Sequence, residues 1–253
     1  RLKRWISQRR VAFIAGSAPA GLDPPRGMLL LGVQGCGKSM LAKATAAGFG
    51  VPLLRLDVGA LYNKYHGETE ANLRQALASA EQLAPCVLWI DELEKGLATG
   101  GEDGGVSRRV LGSLLTWMAE RRAPVFIVAT ANQVQELPAE LLRKGRFDEI
   151  FFVDLPRPDV RVELLRLHLQ RRQLNPDDFA LPALAAASDG FSGAEIEQAI
   201  VAGLYAAHAE QRALDTDVLM AEIRGSRPLS VLMAEQVQAL REWAAPRTVN
   251  ADD

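Results

Sequence analysis

The amino-acid sequence predicts an α/β protein: a parallel sheet of five strands, followed by a smaller all-α unit. Three observations carry that prediction. Five short aliphatic runs alternate with longer segments whose apolar residues recur every three or four positions. The strand signals stop after Leu155-Pro156-Arg157-Pro158. Beyond those prolines only the helical period remains.

The elements follow in order. Met28 to Leu31 is the first strand, and a glycine-rich turn leads from it into a helix over Lys38 to Ala47. Leu53 to Asp57 is the second strand, and Glu68 to Gln82 is a helix with an apolar stripe at Leu73, Leu77 and Ala80. Val87 to Ile90 is the third strand. Gly100-Gly101-Glu102-Asp103-Gly104-Gly105 reads as a flexible polar loop. It precedes a helix over Ser107 to Glu120, striped by Val110, Leu111, Leu114, Leu115 and Met118. Val125 to Ala129 and Ile150 to Val153 complete the sheet. The second unit is read as helices over Asp159 to Arg171, capped by Asp159, then Leu181 to Ser188, Gly193 to Arg212 and Thr216 to Arg224. The division is therefore an α/β domain over 1–157, a helical domain over 158–247, and a disordered tail over 248–253.

Composition excludes several classes. A chain of 253 residues with 48% hydrophobic and 24% charged residues is neither disordered nor a disulfide scaffold. The net charge of −2 lacks the basic excess of a nucleic-acid protein. Cys36 and Cys86 fit a reduced, cytoplasmic setting and show no metal-ligand spacing. No apolar run approaches the ~18 residues of a membrane span, and Arg1 to Arg10 does not lead into the apolar segment of a signal peptide. The chain opens on Arg1 rather than Met, so it reads as part of a longer protein.

The turn after the first strand is Gly32-Val33-Gln34-Gly35-Cys36-Gly37-Lys38-Ser39, a phosphate-binding loop with every fixed position filled. Its glycines let backbone N–H groups wrap a phosphate, and the following helix aims its positive end at the same anion. Lys38 would reach the β- and γ-phosphates, and the Ser39 hydroxyl would ligate Mg²⁺. Met40 follows on the same turn. Val87-Leu88-Trp89-Ile90-Asp91-Glu92 is an apolar strand ending in two carboxylates, which burial alone disfavours. Asp91 would hold hydrated Mg²⁺, while Glu92 would orient and deprotonate the attacking water. Carboxylates that merely cap the next helix are the alternative. A further buried run ends in Thr130-Ala131-Asn132, and Asn132 could contact the γ-phosphate or serve as a turn residue.

Taken together, these motifs resemble the AAA ATPases. Leu141-Leu142-Arg143-Lys144-Gly145-Arg146-Phe147-Asp148 and Gly190-Phe191-Ser192-Gly193-Ala194-Glu195-Ile196 continue the family's order, and the likeness runs from about Gly21 to about Leu204. Cys86 to Glu92, Lys144 to Phe152, Pro228-Leu229-Ser230 and Leu240 to Ala244 are most similar to the AAA ATPases known as a conserved open reading frame of chloroplasts, cyanobacteria and other bacteria. The resemblance implies ATP and Mg²⁺ as cofactors and a homo-oligomeric ring, usually of six subunits. It implies that Asn132 is a sensor, and that Arg143 and Arg146 are fingers reaching a neighbour's γ-phosphate; a guanidinium suits the charge developing there. A solvated basic turn is the plainer reading of Arg143, Lys144 and Arg146. By the same resemblance His168 packs near the adenosine, and Gly193 and Ala194 start the lid helix beside the nucleotide. Ala194 stands where some relatives carry an arginine sensor. Lys64, Tyr65 and His66 match a pore loop gripping a peptide client, with Glu102 and Asp103 on a second pore loop. Val33 and Gln34 replace two prolines usual in this clade, and Cys36 replaces a threonine. The segment expected to contact adenine falls upstream of Arg1.

The activity expected is Mg²⁺-dependent ATP hydrolysis that remodels an unidentified protein client through a central pore. A nucleotide-dependent scaffold or switch is the alternative. A nucleic-acid motor ranks last, because the basic segments lack aromatic stacking platforms.

Overall fold

The computed structural model describes residues 1–14, 21–61, 68–97 and 104–252, with the backbone alone at Ala60, Glu68 and Gly104. The chain divides into two units. The first comprises Arg1–Gly32, Lys38–Val153 and Trp243–Asp253; the second comprises Val33–Gly37 and Asp154–Glu242.

The first unit opens with α1 (Leu2–Ile14), then alternates β1 (Gly27–Gly32), α2 (Lys38–Phe49), β2 (Leu53–Asp57), α3 (Glu68–Gln82), β3 (Cys86–Asp91), α4 (Leu93–Leu97), α5 (Gly104–Glu120), β4 (Val125–Ala131) and β5 (Glu149–Val153). Near its end lies β6 (Val249–Asn250). The sheet order is β2-β3-β4-β1-β5-β6, and every pairing is parallel. Residues Met28 to Leu31 and Phe126 to Ala129 have no exposed surface, as strands covered on both faces require. Gly32 is fixed by close approach: a Cβ there would run into the carbonyl of Val153 on β5.

The sheet has six strands where the sequence suggested five. Val249–Asn250 pairs with Phe151 and Phe152, so the tail expected to be disordered is tied to the sheet edge. Ala251 N–H donates to Phe152 O at 2.9 Å, and Leu2 N–H donates to Ala251 O at 3.3 Å. The basic N-terminal stretch is an amphipathic helix. Its Trp5 meets Phe151 edge-on at 5.3 Å, while Phe13 packs on Phe49 at 5.0 Å and Phe126 at 5.8 Å. Gly104 and Gly105, read as loop, belong to the first turn of α5.

In the second unit, α6 (Pro158–Arg171), α7 (Leu181–Ala187), α8 (Gly193–Ala209) and α9 (Thr216–Gly225) pack around Leu165, Leu169, Leu184, Ile196, Ile200 and Leu219, and the short α10 (Leu229–Leu232) follows them. The final helix, α11 (Ala234–Ala244), carries the chain back into the first unit. Asp159 is not the cap of α6. The cap position is Arg157, with Pro158 at the first helical position, so Asp159 supports the first turn through the helix dipole. Ser192 and Glu195 form a reciprocal capping box on α8, and the second oxygen of Glu195 accepts Leu229 N–H at 2.6 Å. Arg161, 5% exposed, donates to Ala185 O and Pro156 O. Arg241 grips Asp154 with Nε and Nη2 at 2.9 to 3.0 Å.

Candidate nucleotide site

The phosphate-loop residues occupy the turn between β1 and α2, at the carboxyl end of a central strand, where open parallel sheets bind ligands. Lys38 is 7% exposed, and its ammonium donates to Gly32 O at 2.7 Å, across the mouth of the loop. Ser39 is half-buried on the same first turn, and Met40 is exposed. Cys36 is partly exposed and donates its N–H to Val33 O at 3.4 Å. Gly35 adopts φ +80°, and a Cβ there would stand 2.7 Å from Ser192 Oγ and 3.3 Å from the Ala194 methyl. Its carbonyl accepts Ala194 N–H at 3.2 Å. The loop segment 33–37 and the start of α8 are thus in backbone contact within the second unit, at Gly193 and Ala194.

At the ends of β3 and β4 four polar groups converge. Asp91 Oδ1 accepts the Thr130 hydroxyl at 2.8 Å, and Thr130 Oγ1 accepts Glu92 N–H at 3.0 Å. Asp91 Oδ2 pairs with Arg55 on β2 at 2.8 Å. Glu92 adopts φ +46°, an uncommon backbone for a residue with a side chain and the kind held at functional turns. Asn132 Nδ2 donates to Glu92 Oε1 at 3.2 Å, and Lys95 Nζ lies 2.6 Å from Glu92 Oε2. That bond to Glu92 pushes the Lys95 ammonium above its usual pKa. Glu94, 2% exposed, accepts Asn132 N–H at 2.8 Å, and burial raises its pKa.

The sequence reading placed Lys38 at the start of the helix after the phosphate loop and Asp91, Glu92 and Asn132 after strands of one sheet; Lys38 opens α2, and the other three stand at the carboxyl ends of the neighbouring strands β3 and β4. It did not single out Thr130, Glu94, Lys95 or Arg55. A hydroxyl closing the buried run Val125 to Ala131 was the available signal for Thr130. Arg143 is exposed on the segment after Asn132, and among the described residues its guanidinium has no side-chain partner. Arg146 is half-buried, and one of its N–H groups donates to Leu115 O at 3.0 Å. His168 belongs to α6 in the second unit. It is 5% exposed with Nδ1 3.5 Å from Glu197, and burial lowers its pKa so that the neutral ring is favoured. Lys64, Tyr65, His66, Glu102 and Asp103 lie outside the described residues.

The donor set suits Mg²⁺. Ser39 and Asp91 offer hard oxygen ligands, and Mg²⁺ bound with a nucleotide takes one or two protein groups, phosphates and water. Among the described residues no helix is long and apolar enough to cross a membrane.

The fold and the site define a phosphate-loop nucleotide-binding protein. Residues 28–155 match the ATPase family associated with various cellular activities, and the chain belongs to this AAA family. It is 44% identical over 247 residues to a protein of Pyropia yezoensis named "Uncharacterized AAA domain-containing protein ycf46", a match covering 96% of this chain and 50% of that one. Proteins with the same name from Trieres chinensis and Guillardia theta are 44% and 41% identical over similar lengths. The chain spans about half the length of these relatives. It is therefore similar to AAA domain-containing proteins of algae, and the domain it carries is of the AAA ATPase family.

Proposed function

We propose that this chain is the Mg²⁺-dependent ATPase engine of a homo-oligomeric ring, a hexamer, that remodels or unfolds a protein client drawn through a central pore. The observation that carries the reading is the arrangement of Asp91, Thr130, Glu92 and Asn132 at adjacent strand ends, on the carboxyl-end side of the sheet where the phosphate loop starts. Lys38 would exchange its bond to Gly32 for the β- and γ-phosphates of ATP, which the loop amides and the start of α2 also bind. Ser39 and Asp91 would hold Mg²⁺, which supplies charge neutralisation when bound. Glu92 takes the proton of the attacking water, and the Asn132 amide fixes its carboxylate. Arg143 and Arg146 would bring positive charge to the γ-phosphate of a neighbouring subunit. Among the described residues the exposed guanidinium of Arg143 has no side-chain partner, which supports its role more directly than the Leu115-bound guanidinium of Arg146 supports the other.

The test is Glu92→Gln. Turnover should fall by about 10²-fold or more with ATP affinity kept, as expected for loss of a positioned base. The variant should also retain its client in pull-down with ATP. Unchanged turnover overturns Glu92 as the base, and no ATP turnover in the parent chain overturns the ATPase reading. A second arm separates remodelling from switching: Tyr65→Ala should keep basal turnover and ring assembly but abolish client unfolding. Undiminished unfolding would overturn threading by Tyr65, and a parent chain that assembles and hydrolyses ATP but unfolds no client would favour the switch.

A further inference from the structure

We propose that Glu94 is a positioning residue for hydrolysis, holding Asn132 by its main chain so that the Asn132 side chain can hold Glu92. The inference rests on the ATPase reading above. Glu94 sits on the first turn of α4, directly after the turn that carries Asp91 and Glu92. Its Oε1 accepts the backbone N–H of Asn132 at 2.8 Å, where the chain leaves β4. From the same residue, Nδ2 reaches Glu92 Oε1 at 3.2 Å. β3 and β4 are paired neighbours, with Ile90 opposite Ala129, so both bonds run from Asn132, past the end of β4, to the carboxylates that follow β3. Asn132 is thereby held at two points, by its backbone and by its amide.

Stability alone does not account for a carboxylate at this position. Glu94 is 2% exposed, and its second oxygen is buried without a hydrogen-bond partner among the described residues. Desolvating a carboxylate for one backbone bond is costly, and an apolar side chain of similar size would fill the same space without that cost. A buried polar atom left unsatisfied calls for a functional reason, and alignment of Asn132 supplies one. A misplacement on the order of 1 Å near reacting groups costs about 10²-fold in rate.

The experiment compares Glu94→Gln, which keeps an oxygen acceptor for the Asn132 N–H, with Glu94→Met, which does not. Glu94→Met should lower kcat about tenfold or more, with the affinity for a fluorescent ATP analogue unchanged within about twofold. Glu94→Gln should recover most of that loss. In an Asn132→Ala background Glu94→Met should cost little more, because both changes remove the same alignment. If Glu94→Met does not fold, Glu94→Ala, which leaves space instead of a misfit, reads the same loss. Three results would overturn the proposal: full kcat in folded Glu94→Met or Glu94→Ala, a Glu94→Gln variant as slow as Glu94→Met, or losses that add to those of Asn132→Ala. Glu92→Gln in the same assay keeps the two readings apart. A parent chain without ATP turnover removes the ATPase reading and a parent rate unaffected by Glu92→Gln removes Glu92 as the base, whereas a rate lost in Glu92→Gln and kept in Glu94→Met removes only the role of Glu94.

Discussion

The Thr130 hydroxyl donates to Asp91 Oδ1 at 2.8 Å and, through its lone pair, accepts the backbone N–H of Glu92 at 3.0 Å. One buried oxygen thus ties the proposed metal ligand to the backbone of the proposed base, whose φ of +46° needs such support. Thr130→Val keeps the shape and removes both bonds. Steady-state kinetics should show kcat reduced about tenfold or more, with a smaller effect on nucleotide affinity, as for loss of a charge-assisted bond and a backbone bond. An unchanged kcat would make the hydroxyl a packing group.

Arg143 can serve a neighbouring subunit only if two chains share one site. Arg143→Ala and Lys38→Ala chains should each be nearly inactive alone, since a finger supplies ~10³ in rate. Mixed rings should regain part of the activity, because an intact phosphate loop then meets an intact finger. Mass measurement must show that mixed rings form, and inactive mixed rings would restrict Arg143 to its own subunit or to structure.

Cys36 is partly exposed on the loop whose amides would take the phosphates. Alkylation should inactivate the chain, and Mg²⁺ with ATP should slow the reaction by covering the thiol. Cys36→Thr should remain active and resist the reagent. Mass spectrometry separates the two cysteines: Cys86 is buried, with its pKa pushed up to about 11, and should stay unmodified. Equal labelling of Cys36 with and without nucleotide would contradict its placement.

His168 gives a prediction in pH. Burial holds its folded pKa below the ordinary 6.5, against the pull of Glu197, so below that pH the unfolded chain binds more protons than the folded one. Its contribution to stability is therefore fully kept above pH 6.5 and declines as pH falls from there towards the folded pKa, by at most about 1.4 kcal/mol per pH unit for one proton. Urea unfolding at pH 5.5 and 7.5 should show a smaller loss for His168→Gln than for the parent chain. Equal losses would place the acid sensitivity elsewhere.

The strands of the sheet were legible because a parallel sheet covered on both faces needs unbroken apolar runs, and Met28 to Leu31 and Val125 to Ala129 are such runs. Val249–Asn250 was not, since two residues carry no pattern and pair only because Phe151 and Phe152 present a free edge. The N-terminal helix was hidden by its cations; only the tertiary contacts of Trp5 and Phe13 reveal its buried side. In the site, charged or amide residues at strand ends announced themselves as anomalies. Glu94 did not, because Leu93-Glu94-Lys95 reads as an ordinary helix start, and its burial depends on where β4 ends beside it.

The crowding of Gly35 against Ser192 and Ala194 limits what protein engineering can build here. The Ala194 methyl already faces the place a Gly35 side chain would occupy, and its N–H is committed to the Gly35 carbonyl. A side chain grafted onto Gly35 would begin against Ser192 and the Ala194 methyl and push the start of α8 outward. A designer seeking to stiffen the phosphate loop by replacing one of its glycines would therefore have to start from a residue other than Gly35.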